Sequence, residues 1–147
     1  MKIGQGLPKA IYFSSVSPSG RRSTAQRPTT NSAARLLGFK LFRRAAAVIQ
    51  PSLFEGWSAL VEDARTLGKR IYVSDIPVHR EQQPTDGVFF HPDRPEELAE
   101  LVARDWPDLK PGPDLVRESE AHVQQRSRAL AFARAFHQIV KRTTAET

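Results

Sequence analysis

The chain reads as an α/β fold, a parallel sheet flanked by helices, and three observations predict it. Short runs rich in Val, Ile, Tyr and Phe (residues 46–50, 70–74 and 87–90) alternate with segments whose apolar residues recur at helical spacing. The connections between them are short, and the order strand, helix, strand, strand, helix is that of parallel strands joined by crossovers and covered on both faces. The length of 147 residues, 39% of them apolar, suits one domain able to bury a core without metals or disulfides.

Taken in order, residues 9–16 form a short apolar run expected to be an isolated strand. Residues 14–32 are rich in Ser, Thr, Pro and Arg with little to bury, and read as a disordered linker. From Ala33 to Ala45 apolar residues fall at helical spacing, with Gly38 expected to interrupt the helix. Residues 46–50 are a buried strand stopped by Pro51. Ser58 is the expected N-cap of a helix running to Leu67, with Leu60, Val61, Ala64 and Leu67 on its apolar face and Gly68 as its stop. Residues 70–74 and 87–90 are the next strands, with one helical turn at 78–82 between them. Asp93 is the expected N-cap, and Pro95 a first-turn residue, of a helix reaching Trp106. Beyond the breakers between Pro107 and Pro113, a helical region in one or two pieces runs to Arg142, with Phe132, Phe136 and Ile139 spaced as core-facing residues. The expected domains are a basic leader (1–32), a folded body (33–142) and a tail (143–147).

The net charge of +6 is unevenly spread. Residues 1–45 hold nine Lys or Arg and no acid, which leaves 13 basic residues against 16 acidic ones in the remainder. The high isoelectric point therefore belongs to the leader, and reading the whole chain as a nucleic-acid binder on that ground fails. The absence of cysteine excludes disulfides, thiol chemistry and the usual zinc-finger ligand sets, and fits a reducing, cytoplasmic setting. No apolar run approaches the roughly 18 residues of a membrane span, and Gly4, Gly6 and Pro8 break up any signal-peptide centre.

One stretch carries chemistry, the run from Gln50 to Ala64. It is a strand, a tight loop bearing a carboxylate (Glu55) and a glycine (Gly56), and then a helix. The loop lies at the carboxyl end of a parallel strand, where open α/β sheets bind ligands. A helix start offers unpaired N–H groups and a positive dipole end suited to a diphosphate, Gly56 permits close approach, and carboxylates accept bonds from sugar hydroxyls. That division of labour suits a nucleotide-sugar.

With those residues in view, PSLFEGWSALVEDARTLGKRIYVSDIPVHRE resembles the donor-site signature of GT-B retaining glycosyltransferases of the group 1, family 4 type. VFFHPDRPEELAELV resembles the family's following strand and helix, RALAFARAF its closing helix, and Leu37-Gly38-Phe39 its "LGF" strand. The resemblance covers roughly residues 45–140. It implies a partial Rossmann-like sheet, the incomplete carboxy-terminal domain of a GT-B enzyme. It also implies a nucleotide-sugar or nucleoside diphosphate as ligand, with no cofactor and no metal. By position Glu55 is the candidate catalytic carboxylate and first Glu of the family's Glu-x7-Glu motif. Its partner is Asp63 by register or Glu62 by chemical type. Gly56, Trp57 and Ser58 match the positions facing the diphosphate. The acceptor-binding domain and the Arg and Lys that neutralise the departing diphosphate are not legible, so the chain is expected to be inactive alone, either a truncated glycosyltransferase remnant or a subunit that completes its site with a complementary glycosyltransferase chain.

Blander roles compete with each of these. Glu62 and Asp63 would stabilise a helix start wherever they occurred, by about 0.3–1 kcal/mol each. His79 reads as a loop residue bordering the site rather than a base, and His91, His122 and His137 as surface or packing residues. Trp57 either stacks on a ligand or packs beneath the loop. The alternative function is a non-enzymatic protein whose basic leader binds nucleic acid or another acidic partner.

Overall fold

A computed structural model describes residues 9–13 and 32–145. The sequence 14–31, most of the expected linker, lies outside them. Four parallel strands, β1 (Ile11–Phe13), β2 (Ala47–Gln50), β3 (Ile71–Ser74) and β4 (Gly87–Phe90), stand in the order β1-β2-β3-β4. Helices α1 (Ser32–Arg44), α2 (Ala59–Thr66) and α3 (Pro77–Gln82) connect them, and α4 (Pro95–Asp105) and α5 (Leu115–Ala145) follow. This is a partial Rossmann-like arrangement, with the strand order running one way through the described residues.

Alternation along the strands sorts the core into two layers. Val48, Ile71 and Val73 face one side, where Phe42 of α1 and Val61, Ala64 and Leu67 of α2 cover them. Ala47, Ile49, Tyr72 and Phe90 face the other, packed with Leu109 and flanked by Leu98, Leu101 and Val102 of α4. Residues 45–50 and 71–74 are all buried, as the sequence pattern required of central strands.

Several expectations need correction. The run at 9–16 is not an isolated strand, because Ile11, Tyr12 and Phe13 pair in parallel with Ala47, Val48 and Ile49. Part of the expected leader is thus the sheet's edge. Gly38 does not interrupt α1, and Leu37-Gly38-Phe39 is helix rather than strand. The helix simply absorbs the glycine at the ordinary entropic cost. Arg94, not Asp93, occupies the N-cap position of α4, without a side-chain capping bond, and Pro95 is at its start. The carboxy-terminal region is one 31-residue helix that extends past the expected tail boundary at 142.

The largest correction concerns α5. Phe132, Phe136 and Ile139 are 73%, 59% and 62% exposed, with the two Phe rings 6.3 Å apart and stacked on one another. Helical spacing marks an apolar face, but whether anything covers it depends on neighbours. Only the first turns dock: Ala121 and Glu118 are buried, while residues 122–144 are exposed throughout.

That docking is tightly specified. Gly68 ends α2 with φ of +58°, and a Cβ there would meet the Cβ and carbonyl oxygen of Arg117 at 2.8 Å. Buried Lys69 donates to the carbonyls of Ala45 (2.8 Å) and Gly112 (2.5 Å). Arg43 and Glu118 form a two-pronged pair at 2.7 Å, and Arg70 and Arg117 share Asp86 at 2.9 and 2.5 Å.

Candidate functional site

The carboxyl edge of the sheet is built differently. Strand β2 ends at Gln50, a buried amide in an apolar run, and Pro51 stops the ladder and turns the chain. The Ser52 hydroxyl donates to Glu55 Oε1 at 2.6 Å, and the Gln50 amide donates to the same oxygen in a very short contact and to Ser52 Oγ at 2.9 Å. The Glu55 carboxylate is therefore turned inward, its side chain 15% exposed. Its second oxygen, Oε2, lies 3.6 Å from Nε2 of His79. Burial alone would raise the Glu55 pKa. The Ser52 hydroxyl, the nearby Ser58 hydroxyl, the His79 ring and the Gln50 amide outweigh it and hold the carboxyl below its ordinary range.

His79 is not a loop residue. It lies on α3 and is fully buried beneath Glu55. The Asp75-Ile76-Pro77 sequence places it there, since Ile76 caps α3 and Pro77 opens it, so His79 falls in the first turn and points back at the end of β3. His91, His122 and His137 are exposed.

Ser58 is the N-cap residue of α2, but its hydroxyl makes no capping bond. Its backbone is held instead by Gln82. The Ser58 N–H donates to Gln82 Oε1 at 3.2 Å, and Gln82 Nε2 donates back to the Ser58 carbonyl at 2.9 Å. This clip fixes the angle at which the chain enters α2 and leaves the following first-turn amides without intrahelical partners. Ala59, Gly56 and Trp57 are exposed at that opening.

A cleft of about 420 Å³ lies over the loop, lined by Gln50, Glu55, Gly56, Trp57, Ser58, Ala59, Leu60 and Asp63. The structure separates the two acids that the sequence left open. Asp63 is exposed and lines the cleft with Glu55, while Glu62 turns away to bind Arg65 at 2.7 Å and Gln82 at 3.0 Å. The two neighbours are about 100° apart on the helix, so one residue can face the cleft while the next faces α3. Trp57 is 56% exposed, which excludes the packed position beneath the loop. Gly56 has open space where a Cβ would stand, so packing does not demand a glycine there.

Two further cavities, of about 300 and 310 Å³, lie at the opposite edge around Gly68, Lys69 and Arg117. There Lys69 is spent on two carbonyls and Arg117 on Asp86. The carboxyl-edge cleft is the better candidate because it gathers buried polar atoms that have no hydrogen-bond partner. Among the described residues, the buried side-chain atoms without a hydrogen-bond partner are Gln50 Oε1, Glu55 Oε2, Ser58 Oγ, His79 Nε2 and Arg65 Nε, and the first four gather here.

Sequence reasoning missed Gln50, Ser52 and Gln82 as the groups that position this loop. The signal for Gln50 and Ser52 was available, in a polar residue ending an apolar strand just before a proline. Gln82 acts across 24 positions and had none. Among the described residues no group of three His, Asp or Glu is set to hold a metal, and no helix is long and apolar enough to cross a membrane. No protein-family model, curated protein or solved structure matches the chain.

Proposed function

We propose that this chain is part of the donor-binding domain of a glycosyltransferase of the GT-B, family 4 type, and that its carboxyl-edge cleft receives the nucleoside diphosphate of a nucleotide-sugar. The observation that carries the reading is the exposed Asp63 beside the open start of α2, in a cleft whose lining includes the inward-turned Glu55. Asp63 is placed to accept from ribose or sugar hydroxyls, Trp57 is exposed beside it for stacking, and the α2 amides offer donors to phosphate oxygens. Gly56 leaves the approach clear of a side chain. No metal or other cofactor is part of the proposal.

Turnover by these residues alone is not part of it either. Glycosyl transfer depends on stabilising a departing diphosphate with positive charge, and among the described residues none of those lining the cleft is cationic. A helix dipole equivalent to about half a charge is opposed here by two carboxylates. The missing cations would come from a complementary glycosyltransferase surface. Two exposed apolar features suit such a partner: Leu53 and Phe54 on the cleft loop, 70% and 85% exposed, and the Phe132, Phe136 and Ile139 face of α5.

Isothermal titration with UDP and GDP tests the binding claim. Saturable heat with one of them, weakened tenfold or more (about 1.4 kcal/mol) in Glu55→Ala and in Asp63→Ala but not in Asp93→Ala, is the expected result. Absence of binding to either nucleotide by the folded chain defeats the reading. A second reading rests on the acid-free, nine-cation composition of residues 1–45. It is a non-enzymatic protein binding nucleic acid or another acidic partner, and salt-sensitive DNA retention lost on replacing Arg21, Arg22 and Arg27 with Gln would favour it.

A further inference from the structure

We infer that the complementary surface is a second copy of this chain, with the free length of α5 from one copy seated on the Leu53–Phe54 loop of the other and Arg128 brought to its cleft. Two exposed apolar patches motivate the pairing, and neither is covered within one copy. The first is the stripe of Phe132, Phe136, Ile139 and Val140 on α5. It belongs to a stretch, residues 122–144, that is exposed from end to end and about 34 Å long at the helical rise. The second is Leu53, Phe54 and Trp57 on the cleft loop. Single exposed apolar side chains need no explanation, but clusters of large ones mark contact surfaces. Helices also draw most of their stability from packing an apolar face, and α5 packs only its first turns within one copy.

Charge chooses the occupant. Residues 121–145 carry Arg126, Arg128, Arg134, Lys141 and Arg142 and no acid, whereas residues 46–120 carry eight Lys or Arg against fifteen Asp or Glu. The cleft shares the sign of the body, since Glu55 and Asp63 line it without a cation among the described residues. Two free α5 stretches would therefore repel one another, while each is drawn to the socket of another copy. Residues 14–31 suit neither patch, because they hold three arginines, no acid and Val16 as their one large apolar residue.

On the helix surface Arg128 stands one turn before Phe132 and on the same side. Seating Phe132 and Phe136 against Leu53 and Phe54 thus carries a guanidinium toward the carboxylates of the cleft, where it supplies the positive charge a diphosphate needs. Exchange is reciprocal, each copy giving its α5 and receiving the other's, so a two-fold axis closes the pair. Three large apolar side chains from each side of a contact, at roughly 100 Å² apiece, bury on the order of 1,200 Å² over both contacts, the size of a stable interface. The delivery of a cation to a nucleotide rests on the donor-site reading above, but the pairing of copies does not.

Sedimentation velocity on the full chain tests it. The unaltered protein should sediment as a dimer. Phe132→Ser with Phe136→Ser, and Leu53→Ser with Phe54→Ser, should each sediment as monomers with unchanged circular dichroism. The first variant keeps a receiving loop and the second keeps an α5 face, so mixing them should restore a one-to-one pair that neither forms alone. A monomeric unaltered chain, a dimer that survives the loop substitutions, or a mixture that stays monomeric overturns the inference. So does a monomer that binds phosphatidylserine vesicles, which would give the α5 face to a membrane. Should the serine variants fail to fold, Arg128→Gln on the exposed helix still decides the role of α5. It should leave the dimer intact and weaken UDP or GDP binding tenfold, and unchanged binding removes α5 from the cleft. A dimer that binds neither nucleotide upholds the pairing and removes the donor-site reading, and a monomer that binds one does the reverse.

Discussion

The two edges of the sheet are made from the same residue types and put to opposite uses. At the amino edge, where β2, β3 and β4 begin, a network of charged and polar groups is matched. Lys69 has two carbonyls, Arg70 has Asp86 and Asp105, Arg43 has Glu118, and the Tyr72 hydroxyl donates to Asp105 at 2.9 Å. Burial, the bond to Asp105 and that residue's charge together push the Tyr72 phenol far above its ordinary pKa. At the carboxyl edge, Gln50, Glu55, Ser58 and His79 each keep one buried polar atom without a partner. Native interiors satisfy such atoms because leaving them unmet is costly. A cluster of unmet atoms beside a cleft marks a place where something other than folding stability set the sequence. One edge is a clamp and the other an open socket, and substitutions on the two should diverge.

The clamp should break first and hardest. Gly68→Val adds a β-branched side chain at φ +58°, where such residues are strained, and drives it into the Arg117 backbone. Relief requires α5 to lift off α2. We expect a loss of about 3 kcal/mol or more, read as a fall in the urea midpoint. Gly56→Ala, at the socket, has open space for its methyl and should leave that midpoint within about 0.5 kcal/mol. Equal effects at the two glycines would erase the contrast.

Lys69→Met comes next. It keeps most of the apolar stem but strands the carbonyls of Ala45 and Gly112, which the ammonium now satisfies. Loss of charge-assisted bonds to buried acceptors is expected to cost about 2–3 kcal/mol, measured by the same denaturation.

The clamp should also contribute to the pH dependence. The two-pronged bond from Arg43 outweighs burial and holds the Glu118 carboxyl below its ordinary range, and Arg104 and Tyr72 do the same for Asp105. A depressed folded pKa means that the unfolded chain binds protons first. The stability these groups contribute is complete above the ordinary carboxylate range and drains away as pH falls through it to the folded values. The melting temperature should therefore be level near neutrality and drop below about pH 5. Glu118→Gln should lower the neutral plateau and flatten that acid limb. An unchanged limb in Glu118→Gln would remove the pair from the account.

The contrast also explains what the sequence could and could not reveal. The segments from β2 through β4 were legible because each apolar run was bounded by its own breaker, Pro51, Gly68, Pro77 or Gly87. The placement of α2 followed from Val61, Ala64 and Leu67 sharing one helical face. Distance in sequence hid the rest. Three residues, 11–13, gave no hint that they would pair with β2, and the apolar spacing of Phe132, Phe136 and Ile139 could not show that α5 outruns the body it docks on. At the socket, the loop with Glu55 and Gly56 stood out locally. The choice between Glu62 and Asp63 did not, because it depends on Arg65 and Gln82 drawing Glu62 to the other side. His79 was misplaced because nothing near it in sequence shows that Glu55, 24 positions earlier, lies against its ring.

The smallest expected effect is the most discriminating. Replacing the N-cap Ser of a helix with Ala ordinarily costs about 1 kcal/mol, because a side-chain bond to a first-turn amide is lost. Ser58 makes no such bond, and its buried hydroxyl oxygen has no partner. What it contributes within the folded chain is a partial dipole near Glu55, while Gln82 holds the backbone at this point from a distance and would go on doing so. Ser58→Ala is therefore expected to be neutral or to stabilise by up to about 0.5 kcal/mol, the reverse of the usual sign for a cap. The same change should weaken UDP or GDP binding severalfold if the hydroxyl is kept for a ligand. A destabilisation near 1 kcal/mol would show that the hydroxyl caps α2 in solution, and the socket would then lose one of its four unmet atoms to ordinary folding.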